Sequence, residues 1–119
     1  MLTTNPHGDV LARFGHALSD ATRSRILLTL CRGPAYPAEL ADSLGVSRTN
    51  LSNHLSCLRA CGLVLVVQQG RRARYELADQ RLSRSLWDLL DLAKVIDPLA
   101  GSARCHAGRG SPVDGVAAG

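Results

Sequence analysis

Apolar residues recur at helical spacing through four stretches up to Gly62, then alternate with polar ones, then return to helical spacing. From Asp9 to Leu18, Val10, Phe14, Ala17 and Leu18 form one stripe and predict a short amphipathic helix. Ser19 or Asp20 caps a second helix running to about Cys31, with Ile26, Leu27, Leu28 and Leu30 as its apolar set. Gly33 and Pro34 end it. Tyr36-Pro37 opens a third helix from Pro37 to Leu44, with proline in its first turn. Gly45 makes a turn, Ser47 is the expected N-cap of a fourth helix, and Gly62 stops it. A helix, a glycine-containing turn and a second helix at this spacing is a helix-turn-helix signal.

The pattern then changes period. Leu63-Val64-Leu65-Val66-Val67-Gln68 is rich in β-branched residues, and Arg72-Ala73-Arg74-Tyr75-Glu76-Leu77 alternates. With Gln69-Gly70-Arg71 as the turn, the two runs predict a β-hairpin. A last helix from Leu82 to Ile96 carries Leu82, Leu86, Leu89, Leu90, Ala93 and Ile96, and Asp97-Pro98 closes it. The expected fold is mostly α with one β-hairpin, in the order α-α-α-α-β-β-α: a winged helix-turn-helix. Residues 1–98 form the domain, and residues 99–119, dominated by Gly, Ala, Ser and Pro, form an expected flexible tail.

Composition narrows the partners. The chain has 119 residues and a formal charge of +4, enough for one modest core and suited to a polyanion. Thirteen of its fourteen basic residues are arginine, whose planar fork matches phosphate and guanine. Aromatics are few, namely Phe14, Tyr36, Tyr75 and Trp87. That argues against stacking on single strands and favours double-stranded DNA. Met1 to Val10 has no apolar run, and no stretch approaches the roughly 18 apolar residues of a membrane span. A cytoplasmic location follows as the expectation. There thiols stay reduced, so the four cysteines are expected to be free, metal-binding or redox-active.

Cys57 and Cys61 lie inside the fourth helix. At about 100° per residue from Leu51, Leu55 and Leu58 fall within about 40° of it and face the core. Thr49, Ser52, Asn53 and Ser56 spread over an opposite arc that a major groove could read. Cys57 and Cys61 fall on a flank between the two, with Asn50 and His54 beside them. Cβ atoms four residues apart on a helix are roughly 5–6 Å apart, whereas a disulfide wants about 3.5–4.5 Å. Two sulfurs on one metal can span the gap without bending the helix. The pair therefore favours a metal over oxidation unless the helix frays at Gly62. Half-buried packing is the plainer alternative for both thiols.

Glu39-Leu40-Ala41, Leu44-Gly45-Val46-Ser47, Leu51-Ser52, His54-Leu55, Leu58, Gly62-Leu63-Val64, Gly70-Arg71 and Tyr75-Glu76-Leu77 together resemble the ArsR/SmtB family of bacterial metal-responsive repressors. Asp20-Ala21-Thr22-Arg23-Ser24-Arg25-Ile26-Leu27 matches its second helix. The resemblance covers about residues 10 to 96. It implies a homodimeric repressor that leaves its operator when inducer binds. Several branches carry thiols near the third helix, where this chain has none, and the zinc-sensing branch has Asp and His on the last helix, where this chain has Asp88 and Asp91 but no histidine. What remains resembles the cadmium- and lead-sensing branch, which draws a third thiolate from the C-terminal tail. On that likeness Cys57, Cys61 and Cys105 form the metal site, with Cd(II) or Pb(II) as inducer and As(III) or Zn(II) as further candidates. Zn(II) prefers four ligands, and His106 or His54 could complete its site. That branch can also carry a thiol in its N-terminal arm, where this chain has Thr3-Thr4.

Ser47, Arg48, Thr49, Ser52, Asn53 and His54 are the expected DNA contacts of the fourth helix, and Arg71, Arg72 and Arg74 those of the wing. Arg48 or Asn53 suits a base edge, and Ser47 and Thr49 suit phosphate. The alternative signals are arsenite or thiol oxidation and persulfides, acting through the same cysteines. Cys31 is expected to be structural, and His7 and His16 join no constellation. Cys-x-x-x-Cys lacks the spacing of thiol oxidoreductases, and no Ser/His/Asp set is present, so no enzyme and no small organic substrate are expected.

Overall fold

The computed structural model describes residues 6–96. Cys105, His106, Thr3-Thr4, the Asp97-Pro98 stop and the proposed tail at 99–119 lie outside the described residues. Seven elements follow in order: α1 (Pro6–Leu18), α2 (Ala21–Leu30), α3 (Pro37–Leu44), α4 (Arg48–Ala60), β1 (Val64–Gln69), β2 (Arg72–Leu77) and α5 (Arg81–Ile96). This is the winged helix-turn-helix order that the periodicity predicts.

The described chain divides into two units, at 84 and 85, within α5. In the first, α2 packs on α1, α3 and α4, and the hairpin packs on α2, α3 and α4. Ile26, Leu27, Leu40, Leu51, Leu55 and Leu58 are its largest fully buried side chains. Leu51, Leu55 and Leu58 form the stripe expected on α4, and each contributes about 1.5–3 kcal/mol by leaving water. In the second unit, Trp87, Leu89, Leu92, Val95 and Ile96 all expose apolar surface.

Local chemistry sets the boundaries. α1 is already helical at Pro6, the first described residue and earlier than the Asp9 expected from the sequence. A proline fits a first helical turn, and Asp9 lies within that turn, where a negative charge meets the positive end of the helix dipole. Asp20 rather than Ser19 caps α2, accepting from the Arg23 backbone N–H at 3.1 Å. This bond is the main reason that the Asp20 carboxyl titrates below its usual range. Ahead of α5, the Asp79 carboxylate takes the Arg81 guanidinium at 2.7 and 3.1 Å and its backbone N–H at 2.8 Å. The side-chain bonds, then the backbone bond, hold Asp79 down to about 2.

β1 and β2 pair antiparallel from Val64↔Leu77 to Gln69↔Arg72. The loop is therefore only Gly70-Arg71; Gln69, expected in the turn, completes the ladder. Gly70 has φ 62, the left-handed conformation that tight hairpin turns need at their first position. On its other edge β2 meets the loop before α3: Ala35 and Tyr75 exchange two backbone hydrogen bonds, of 2.9 and 2.8 Å. The hairpin is thus fixed to the helix-turn-helix from two sides. No described helix is long and apolar enough to cross a membrane.

Candidate nucleic-acid interface and thiol site

The turn between α3 and α4 is tied at both ends. Gly45 and Val46 donate to the Ala41 carbonyl at 2.9 and 3.1 Å, and the Arg25 guanidinium reaches the Leu44 carbonyl at 3.3 Å. The Ser47 hydroxyl then accepts from the Asn50 backbone N–H at 3.0 Å and starts α4. Arg48, Thr49, Asn50, Ser52, Asn53 and Ser56 are all exposed on this helix. One face of α4 is therefore leucine, and the other is hydroxyl, amide and guanidinium.

The first turn of α4 holds no acidic residue, and Arg48 is its first residue. A cation at that end opposes the helix dipole. A docked phosphate would satisfy the arginine and the free backbone N–H groups together.

The wing arginines differ from one another. Arg71 is exposed at the tip. Arg72 is also exposed, but its guanidinium stacks 3.4 Å from the centre of the Tyr36 ring, a cation–π contact. The Tyr36 hydroxyl donates to Gln69 Oε1 at 2.8 Å. Arg74 is half-buried: its Nη2 is 3.4 Å from Glu76 Oε1, and its Nε is buried without a hydrogen-bond partner. Arg71 is thus the member of the expected trio with neither of these attachments, and the anchoring role of Tyr36 is one that the sequence did not indicate.

His54 is half-buried and turned toward α2. Its Nδ1 is 3.4 Å from Arg23 Nη1, and its Nε2 is 3.9 Å from the Asp20 carboxylate. Arginine only donates, so Nδ1 is the ring atom placed to accept from Arg23.

Cys57 and Cys61 are both free and half-buried on the same flank. The helix does not fray between them. The Cys61 backbone N–H donates to the Cys57 carbonyl at 3.0 Å. Gly62, at φ 80, then donates to Arg59, and Leu63 to Leu58, a Schellman closure that fixes Cys61 at the helix end. The two thiols are close enough to influence each other's ionisation. Burial first, then the charge and hydrogen bond of Cys57, push the Cys61 thiol above its ordinary value, while Arg23 and Arg13 pull it down. Two sulfurs one helical turn apart, costly to ionise together, are a donor pair that a soft cation would relieve. Among the described residues no group of three His, Cys, Asp or Glu side chains comes together. The pair therefore fits a metal but does not complete a site; Cys31, half-buried at the end of α2, does not join it.

Comparisons with known proteins agree with this architecture. The model of the bacterial regulatory protein arsR family matches residues 20–65, which span α2 to the start of β1. The chain is 50% identical over 97 residues to the transcriptional regulator CmtR of Mycobacterium tuberculosis, covering 82% of each. It is 39% identical over 90 residues to a probable mercury resistance operon repressor of Streptomyces lividans, covering 76% of this chain and 69% of that one. The NMR structure of the cadmium metal-sensor CmtR superposes with a TM-score of 0.61 at 54% identity, over 69% of this chain and 85% of that one. A homodimeric winged helix-turn-helix DNA-binding domain from Mycobacterium bovis superposes with a TM-score of 0.70 at 28% identity, over 79% and 91%. These relatives are regulators rather than enzymes, and the chain belongs to the ArsR/SmtB family of bacterial transcriptional regulators.

Proposed function

We propose that this protein is a homodimeric, metal-responsive repressor that binds operator DNA without metal and releases it when Cd(II) or Pb(II) loads Cys57, Cys61 and Cys105. The single observation that carries the reading is the pair of free, half-buried thiols one helical turn apart at the end of the recognition helix, next to its polar face. The likeness to a cadmium sensor supports it.

In the operator complex, the polar arc of α4 enters the major groove. Arg48 and Asn53 reach base edges, and Ser47, Thr49 and Ser52 hold the backbone. Arg71 leads the wing contact with phosphate. Arg72 and Arg74 orient the hairpin through Tyr36 and Glu76 and add charge, and His54 borders the interface from the flank. Exposed Trp87, Leu89, Leu92, Val95 and Ile96 on α5 supply apolar surface for a dimer contact. Two-fold symmetry then calls for a pseudo-palindromic operator.

A bound Cd(II) or Pb(II) supplies a soft positive charge that replaces the thiol protons and ties the sulfurs together. Cys57 and Cys61 hold their places by the α4 backbone. Cys105, from the tail of the same chain or of the dimer partner, adds the third donor; loop closure of this length costs only a few kcal/mol. The thiols lie beside the reading face rather than on it, so release works through the orientation of α4.

Such a coupling is reciprocal and typically amounts to about 1–3 kcal/mol. Operator DNA therefore weakens Cd(II) binding by the same factor that Cd(II) weakens operator binding. Titrating Cd(II) against a competing chelator, with and without operator duplex, measures this factor. Equal affinities in the two titrations would refute the reading.

A further inference from the structure

The Arg23 side chain joins three elements at one point beside the thiol pair. Its Nε donates to the Ala17 carbonyl at 3.0 Å, and its Nη2 donates to the His16 carbonyl at 2.9 Å and faces Ser19 Oγ at 3.4 Å. Both carbonyls belong to the last turn of α1, so one edge of the guanidinium caps that helix, where a cation also complements the dipole. The other edge, through Nη1, meets His54 Nδ1 on α4 at 3.4 Å. The base of the side chain is held as well, because the Arg23 backbone N–H is the donor that Asp20 caps, and Asp20 in turn faces His54 Nε2 at 3.9 Å. Arg23 is half-buried and cannot swing aside without giving up several of these bonds.

His54 precedes Cys57 and Cys61 by three and seven residues on α4, the spacing of one helix face. The dithiol thus continues the stripe that His54 begins. Arg23 and Arg13, from α2 and α1, both act on the charge state of Cys61. Arg13 and the exposed Val10 and Leu11 all lie on α1.

We propose that Arg23 is the positioning residue through which loading of the Cys57–Cys61 pair passes from the recognition helix to the end of α1, its guanidinium gripping the His16 and Ala17 carbonyls on one edge and His54 on the other. The proposal rests on the sensor reading above and adds its transmitting part. A planar fork can hold two helices in fixed register in a way that a point charge cannot. A shift of the α4 flank that moves His54 must then either pull on the α1 terminus or break the Arg23 contact. Either result changes how α4 is set relative to the helix that bears the exposed apolar residues.

The test compares the full chain with Arg23→Gln, Arg23→Lys and His54→Gln. Operator affinity, on a duplex selected from random sequence, is measured by fluorescence anisotropy with and without Cd(II). Cd(II) loading is followed separately through sulfur-to-metal absorbance in the ultraviolet. The wild-type ratio of the two operator affinities is expected to lie between about 5 and 150. All three variants should still load Cd(II) with the wild-type absorbance, while the ratio falls by about tenfold or to near one. Lysine should not rescue it, because it keeps the charge and loses the fork. His54→Gln leaves the cap on α1 intact, so it decides the matter if loss of Arg23 unfolds the protein. A wild-type ratio retained by His54→Gln, or restored by Arg23→Lys, overturns the proposal and reduces Arg23 to a helix cap or a local charge. A wild-type ratio of one instead overturns the sensor reading, and this proposal with it.

Discussion

Loading the thiol pair should release protons, and their number counts the ligands. An ordinary thiol, of pKa about 8.5, is ionised to only a few per cent at pH 7, and burial and Cys57 push Cys61 above its ordinary value. A metal-bound cysteine is a thiolate. Every such ligand therefore adds about one to the slope of log affinity against pH, as long as the pH stays well below its pKa. Cys57 and Cys61 alone give a slope near two, and Cys105 brings it near three. Between about pH 6 and 7.5, three thiols strengthen Cd(II) binding by about four to five powers of ten. The assay is Cd(II) competition with a chelator of known proton affinity, read by the ultraviolet sulfur-to-metal band, at several pH values. Cys61→Ser should lower the slope by about one and reduce the band. A slope near zero, or one that Cys61→Ser leaves unchanged, would mean that Cys61 is not a ligand, and would refute the reasoning from the donor pair.

Three further outcomes follow from the packing and the wing. Leu55→Ala, at a position only 2% exposed, should destabilise the fold by about 2–5 kcal/mol in urea unfolding; a loss under about 1 kcal/mol would remove Leu55 from the core. Arg71→Ala should weaken binding to all DNA sequences and make the slope of log affinity against log salt shallower by about one; an unchanged slope would take the wing tip off the phosphates. Tyr36→Leu removes the Arg72 stacking and the 2.8 Å bond to Gln69. It should cost about 1–2 kcal/mol of stability and weaken operator binding, and unaltered values of both would show that the wing needs no such anchor.

The sequence revealed most of what depends on neighbouring residues. The leucines of α4, the Ser47 cap and the Gly70 turn follow from local period and turn chemistry, and the structure places them accordingly, with Cys61 as the C-cap just beyond α4. Boundaries shifted by a few residues: α1 is already helical at Pro6, and the pairing of Gln69 with Arg72 shortens the hairpin loop. Long-range pairings were not legible. Arg23 and His54 are 31 residues apart, and Tyr36 and Gln69 33 apart; no local pattern encodes either contact. Three arginines close together in the sequence looked alike for the same reason. Only the register of β2 and the position of Tyr36 distinguish the exposed Arg71 from the stacked Arg72 and the half-buried Arg74.

The most direct test of the central claim is operator binding by reduced protein at fixed salt, followed by fluorescence anisotropy during titration with Cd(II), Pb(II), Zn(II) and arsenite, beside Cys57→Ser. The account predicts that Cd(II) or Pb(II) releases the wild-type protein from DNA, and that Cys57→Ser binds the same DNA but is not released. Release that persists in Cys57→Ser, or no release by any of the four, would contradict a sensor built on the thiol pair of α4.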